Sequence, residues 1–386
     1  MSPARLLPGA EHFHVTELPA YPACGEGEHL YLELETRRLG SDRVAALLAR
    51  VCQVPRRAVG YAGRKDRHAV SRQWFSVHGA DAATLDALPT APDGGALEVR
   101  SITRHRNKLR LGHLAGNRFR LGLELEPGDE AQLGAGLAEV ERAGFANRFG
   151  AQRFGIGGGN IAIACAWGRG DDAAALALIV SPDGDWQPGD PLPGGRSFGA
   201  RGAVLRALRG RPDDAAGALR AAGRAFRQLI ASAAQSAIFN AVLEARRAAG
   251  LLHVLCDGDL ARLGRGPLFL CTAEELDDAN RRAAPGVLEV FATGPLPGRS
   301  RFAPGPEVAA EERAWSEPTG IDWSWLAAGA LSSAGARREL IARCLEPPRL
   351  ETDATGTWLS IALPPGSYAT QLLEELGISV PERRAG

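Results

Sequence analysis

The sequence predicts an α+β protein of two domains. Three observations carry this. Short runs at 30–35 and 119–125 alternate apolar with polar residues, as half-buried strands do, and 357–363 reads as a further strand. Residues 44–51 place apolar side chains at i, i+3, i+4 and i+7, the stripe of an amphipathic helix. An Ala-rich, helix-forming stretch from 160 to 295 separates two strand-bearing ends. The chain of 386 residues is long enough for two domains. Its 45% hydrophobic and 23% charged content is that of a globular fold.

Taken in order, Phe13–Glu17 and Leu30–Glu35 read as strands, and Gly25 and Gly27 between them suggest a hairpin. Ser41 reads as a helix N-cap, followed by Val44, Leu47, Leu48 and Val51 on one face, with Pro55 ending the helix. Ala58–Val59 leads into Gly60 through Trp74, where Gly60 and Gly63 permit a tight turn or a close backbone approach. Trp74–Val77 and Phe119–Leu125 are strand candidates. A helix is expected from Asp129 to Ala143, ended by Gly144. Ser181 to Arg201 is a Gly- and Pro-rich loop. Gln235 to Ala249 reads as a helix carrying Ile238, Phe239, Val242 and Leu243 on one side, with Gly250 at its C′ position. Thr293 through Pro306 reads as a linker. A helix holding Leu340, Ile341 and Leu345, a strand at Thr357–Leu363 and a helix ending at Gly377 close the chain.

Several classes are excluded. The longest apolar run, Ala173 to Val180, has eight residues, too few to span a membrane as a helix. Glu11, His12, His14 and Glu17 interrupt the N-terminal stretch, so no secretory signal is expected. The six cysteines include no Cys-x-x-Cys pair, which argues for scattered reduced thiols, a cytoplasmic location and no zinc ribbon. Gly155-Ile156-Gly157 lacks the preceding strand and following acid of a dinucleotide fingerprint. Asp257-Gly258-Asp259 lacks the bidentate Glu of a calcium loop. No metal and no cofactor are therefore expected.

Net charge is zero, yet its distribution is uneven. Residues 56 to 72 hold six Arg or Lys (Arg64, Lys65, Arg67 and Arg72 among them) and a single acid, Asp66. Residues 99 to 123 hold seven Arg or Lys, including Arg104, Arg106, Lys108 and Arg110, and no acid. The chain's only two lysines, Lys65 and Lys108, fall one in each window. Surrounding cations favour an ionised Asp66, and a carboxylate in a basic cleft suits a reaction on a polyanion. Phe119 reads as a core aromatic, but beside Asn117 and several arginines it is also placed to stack on a nucleobase.

The run Gly63-Arg64-Lys65-Asp66-Arg67-His68-Ala69-Val70-Ser71 resembles the active-site motif of the tRNA pseudouridine synthase D family, with Ser71 where Thr is more usual. Phe13-His14-Val15-Thr16-Glu17, Gly25-Glu26-Gly27-Glu28-His29, Arg104 to Gly112 and Asn117-Arg118-Phe119 resemble the same family, in its order. So do Asn147 to Gly155, Ser232 to Asn240 and Pro364 to Thr370. The resemblance implies a catalytic domain at 1–146 and 297–386, with a mixed β-sheet flanked by helices, and an inserted helix-rich α/β domain at 147–296. It implies isomerisation of uridine to pseudouridine in tRNA, at position 13 in the family, by a redox-neutral route. Asp66 would be the catalytic carboxylate, acting as nucleophile on sugar or base or as a base at C2′. Phe119, Asn117, Lys65 and Glu17 would bind the substrate nucleotide. Arg64, Arg67, Arg72, Arg104, Arg106, Lys108 and Arg110 would contact RNA. A tRNA partner and a monomer are expected.

Two other functions use the same residues. A non-catalytic RNA-binding protein predicts salt-dependent tRNA binding with no change in nucleoside content. A nucleoside or glycosyl hydrolase commonly needs a second carboxylate, for which Asp66 has no partner close in sequence.

Overall fold

The computed structural model describes residues 4–65, 67–90, 94–181, 185–187, 189–193, 199–264, 266–300 and 302–380. The chain divides into two compact units, 1–145 with 342–386 and 146–341. The stretch 297–341, assigned by sequence to the first domain, therefore belongs to the second.

The first unit is built on strands β1 (Arg5–Leu6), β2 (Phe13–Pro19), β3 (His29–Arg37), β4 (Val59–Tyr61), β5 (Val70–His78), β6 (Ala96–His105), β7 (Leu114–Glu124), β14 (Glu346–Asp353) and β15 (Gly356–Leu363). They form one sheet in the order β14-β15-β7-β2-β5-β3-β6, with β1 on β7 and β4 on β5. The β2–β5 pair is parallel and the other described pairs are antiparallel, so the sheet is mixed. The expected hairpin of β2 and β3 does not form, because β5 lies between them.

Helices α1 (Ser41–Val51), α2 (Asp129–Ala143) and α11 (Ala369–Glu375) cover this sheet. Val44, Leu47 and Leu48 of α1 pack on Leu32, Leu34, Phe75 and Val77. Leu133, Leu137 and Val140 of α2, with Leu372 and Leu373 of α11, pack on Leu121, Leu359 and Ile361. Each fully buried aliphatic side chain contributes about 1.5–3 kcal/mol. The strand registers Leu121↔Phe13, Phe119↔Val15 and Val15↔Ser71 put both clusters on the same face, since opposed residues share a side and alternate ones return to it. Strand β2 and the first residues of β5, Ser71 and Gln73, lie between the two clusters.

The second unit holds α3 (Gly159–Gly168), α4 (Asp172–Val180), α5 (Gly199–Gly210), α6 (Ala215–Ala221), α7 (Gly223–Ala248), α8 (Leu276–Ala283), α9 (Pro306–Ser316) and α10 (Trp323–Ala327). Its antiparallel sheet has the order β10-β9-β11-β12, from β9 (Leu260–Leu263), β10 (Leu268–Leu270), β11 (Val290–Leu296) and β12 (Ala336–Glu339). Strands β8 (Phe145–Ala146) and β13 (Ile341–Ala342) lie where the chain crosses between units. The core gathers Ile230, Ala234 and Ile238 of α7 against Ile163, Leu176, Leu205 and Leu219.

Two sequence expectations fail here. Thr293–Leu296 is strand, not linker. Thr293 is buried, and its hydroxyl and carbonyl both accept from Arg337. The expected helix around Leu340 and Ile341 does not form: Ala336–Glu339 pairs with β11, Leu340 is a bend, and Ile341–Ala342 is strand again. Asp259 forms a buried bidentate pair with Arg246 at 2.7 and 2.8 Å, which explains an acid there without calcium. No helix of the described residues is long and apolar enough to cross a membrane. Among the described residues no three His, Cys, Asp or Glu side chains are grouped to hold a metal, and the six cysteines are free thiols.

Candidate active site

Glu17 sits near the end of β2, opposite Asn117 of β7. It is only 3% exposed. Lys65, on the loop between β4 and β5, reaches into the same place with its side chain only 5% exposed. Its Nζ donates to Glu17 Oε2 at 3.2 Å and to Asn117 Oδ1 at 2.5 Å. Glu17 Oε2 also accepts from Gln73 Nε2 at 3.3 Å, and Oε1 accepts from the Trp74 backbone N–H at 3.3 Å. Three sequence-distant segments, 13–17, 63–74 and 117–119, thus meet on adjacent strands.

Burial costs both charged groups their hydration, so each must be offset by its partners. Desolvation holds the Glu17 carboxyl above the usual carboxylate range, against the opposing pull of Lys65 and of the bonds from Lys65, Trp74 and Gln73. Desolvation likewise lowers the Lys65 ammonium, against the pull of Glu17. The result is a buried ion pair whose ammonium is also held by the Asn117 amide oxygen.

The loop carrying Lys65 is tied at two further points. Gln73 Nε2 donates to the Gly63 carbonyl, and the Lys65 backbone N–H donates to Ser41 Oγ at 2.8 Å. Ser41 Oγ in turn donates to Gln73 Oε1 at 2.7 Å. Ser41 is not an N-cap, because Gly40 takes that position and no side chain caps the helix. Gly60 is required by close approach, since a Cβ there would lie 2.2 Å from the Leu109 carbonyl oxygen. Gly63 has room, its nearest would-be contact being Lys65 Nζ at 3.5 Å.

Asp66, the expected catalytic acid, lies outside the described residues. Phe119 is two residues from Asn117 on the same face of β7, half-buried, with its ring 6.2 Å from Phe13 in an edge contact. Beside Glu17 an apolar cavity of about 240 Å³ is lined by Pro19, Tyr21, Tyr31, Trp74 and His113 among others.

Most of the expected RNA contacts hold a partner within the protein. Strand alternation puts Arg72 on the opposite face from Gln73, and it pairs with Glu35 Oε2 at 3.4 Å, an oxygen that Arg100 also holds at 2.9 Å. Arg64 lies 3.7 Å from Asp42, and Arg106 pairs with Glu26. Arg67 Nε donates to His68 at 3.0 Å, Arg104 to the Gly27 carbonyl at 3.4 Å, and Lys108 to the Arg57 carbonyl. Arg110 is exposed. Exposed pairs of this kind contribute about 0.2–1 kcal/mol, so Arg64 and Arg106 are easily drawn to another anion. Arg72 is the weaker candidate because its partner is half-buried and shared.

Sequence reasoning gave no role to Gln73 and misassigned Ser41. The signal for Gln73 is its phase: Ser71, Gln73, Phe75 and Val77 form the inward row of β5, and an amide in that row needs partners.

The model of the family "tRNA pseudouridine synthase D" matches residues 4–190 and 193–376. A tRNA pseudouridine synthase D of Geobacter metallireducens is 37% identical over 95% of this chain and 93% of its own. One of Xanthomonas campestris pv. campestris is 36% identical over 97% of this chain and 91% of its own. A Methanosarcina mazei protein solved as a candidate tRNA pseudouridine synthase D superposes with a TM-score of 0.73 at 26% identity, covering 97% of this chain and 93% of that one. With the mixed sheet and the convergence of its motif segments already in hand, these matches establish that the chain belongs to the tRNA pseudouridine synthase D family.

Proposed function

We propose that this protein isomerises uridine to pseudouridine in tRNA, at position 13, with Asp66 as the catalytic carboxylate. The observation that carries this reading is the buried Lys65–Glu17–Asn117 cluster, which gathers the segments the family resemblance singles out and stands next in the chain to Asp66. The reaction breaks the C1′–N1 glycosidic bond, turns the uracil, and joins C5 to C1′. A proton leaves C5 and one arrives at N1, so no atom is gained or lost overall. An ionised carboxylate serves as nucleophile or base in such a sequence.

The target base must leave its stack, at a cost of a few kcal/mol. Stacking on Phe119 and phosphate contacts from Arg64, Arg67, Arg104, Arg106, Lys108 and Arg110 offset this, each stacked base contributing about 1–3 kcal/mol. Arg72, turned to the far face, contributes only if the RNA wraps the sheet edge. The enzyme acts as a cytoplasmic monomer and needs no metal.

The test is nucleoside analysis of an unmodified tRNA transcript after incubation. The wild-type protein is expected to form pseudouridine, and Asp66→Asn to form none while still binding tRNA. Substantial pseudouridine from Asp66→Asn removes Asp66 from its role. Free uracil would favour a hydrolase, and an unchanged nucleoside content with salt-dependent binding would favour a non-catalytic RNA binder.

A further inference from the structure

We propose that Ser41 and Gln73 are positioning residues that latch the loop bearing Asp66, an inference that rests on the function proposed above. The loop is held from below by two side chains that are each 3% exposed. Gln73 Nε2 grips the Gly63 carbonyl on one flank. Ser41 Oγ accepts from the Lys65 N–H, at 2.8 Å, on the other. The two grips are joined, because Ser41 Oγ donates to Gln73 Oε1 at 2.7 Å. Gln73 Nε2 also reaches Glu17, so the latch and the buried ammonium share one network.

Neither residue does what its position would ordinarily ask. A serine at a helix start stabilises the helix as an N-cap by about 1 kcal/mol. Ser41 instead occupies the first helical position, with no capping bond, and gives its hydroxyl to the loop. Gln73 lies in the apolar row of β5, where a leucine or methionine would pack without burying an amide. Both side chains are committed to the backbone of residues 63 and 65, and Asp66 follows directly. A displaced reacting group loses rate steeply, with about 1 Å of misplacement costing on the order of 100-fold. The latch fixes the backbone of residues 63 and 65, just ahead of Asp66 in the chain.

Steady-state kinetics on tRNA test this, beginning with a wild-type enzyme that forms pseudouridine. If the wild type forms none, the proposed function fails and the latch with it. If it does, Ser41→Ala and Gln73→Met are expected to lower kcat roughly 10- to 100-fold, with KM for tRNA changed less than about threefold. Ser41→Thr, which keeps the hydroxyl, should restore kcat. The double variant should fall no further than the poorer single, because both act through one loop. Thermal unfolding reports whether each variant folds. A folded Ser41→Ala with kcat near wild type overturns the proposal, as do losses shared equally by kcat and KM. Should Gln73→Met fail to fold, Ser41→Ala and its Ser41→Thr rescue decide alone. Failure of Ser41→Ala to fold would make its role structural and also overturn the proposal.

Discussion

Lys65 and Glu17 show what a buried ion pair does and does not contribute. Removing both side chains' hydration is a cost that their mutual attraction only partly returns, so the pair is weak evidence for stability. Removing one partner is different, because it strands the other. Lys65→Met leaves Glu17 buried with only the Gln73 and Trp74 donors. The folded-state carboxyl, already raised by burial, then rises further. A group raised on folding contributes stability below its unfolded value and loses it as pH climbs through the folded value. The Lys65→Met penalty should therefore be largest at neutral pH, about 3–5 kcal/mol, and shrink as pH falls toward 5 and the lone carboxyl takes a proton. Glu17→Gln with Lys65→Met together should cost less than Lys65→Met alone. Urea unfolding of the three variants across this pH range measures both effects. A Lys65→Met penalty that grows as pH falls would contradict the assignment of Glu17 as the stranded group.

At the scale of elements, the two glycines flanking the start of the active loop make a contrast that sequence alone could not draw. Both allow either a turn or a close approach. In the fold, Gly60 is pressed against the Leu109 backbone, while Gly63 faces ordinary van der Waals space. Gly60→Ala should cost several kcal/mol by forcing β4 from the 109 segment, on the order of an overpacked core at 1–3 kcal/mol or more. Gly63→Ala should leave stability within about 1 kcal/mol. Denaturant midpoints for the two variants, with unchanged m-values, check this; equal losses would refute it. What the sequence did disclose was local. The helix Asp129–Ala143 and its Gly144 stop follow from periodicity and a glycine at the end. The apolar stripe of α7 is read directly, though the helix begins earlier, at Gly223. What it hid was decided at long range. The β2–β3 hairpin is displaced by a parallel pairing with β5 that no turn encodes. Glu17 and Gln73 look like ordinary polar residues until their partners arrive from other strands. Thr293-Gly294-Pro295 looks like a linker because glycine and proline mark turns. Yet Gly294 is needed where a Cβ would meet Phe239 at 2.9 Å. Pro295 falls where β11 pairs with β12 alone, the β9 pairing ending at Ala292, so its missing N–H costs no ladder bond.

For the whole molecule, that misread linker moves a domain boundary, and the move has a consequence for folding. A second unit ending at 296 would lose α9, α10 and β12. With them go Glu312 and Arg337, which are buried against each other at 2.5 Å and against Thr293. It would also lose Ile321, Leu326 and Leu331 from the main core and leave one side of Thr293–Leu296 without its strand partner. Each deleted aliphatic contact of this kind costs about 2–5 kcal/mol. Three such losses come to about 6–15 kcal/mol, as large as the roughly 5–15 kcal/mol by which a domain is stable at all. A fragment of residues 146–341 keeps every one of these contacts within itself. It should therefore unfold in a single cooperative urea transition, whereas a fragment of residues 147–296 should show no cooperative transition and should expose apolar surface to a hydrophobic dye. Cooperative unfolding of the shorter fragment would restore the boundary at 297 and demote the Glu312–Arg337–Thr293 cluster to an accessory of the fold.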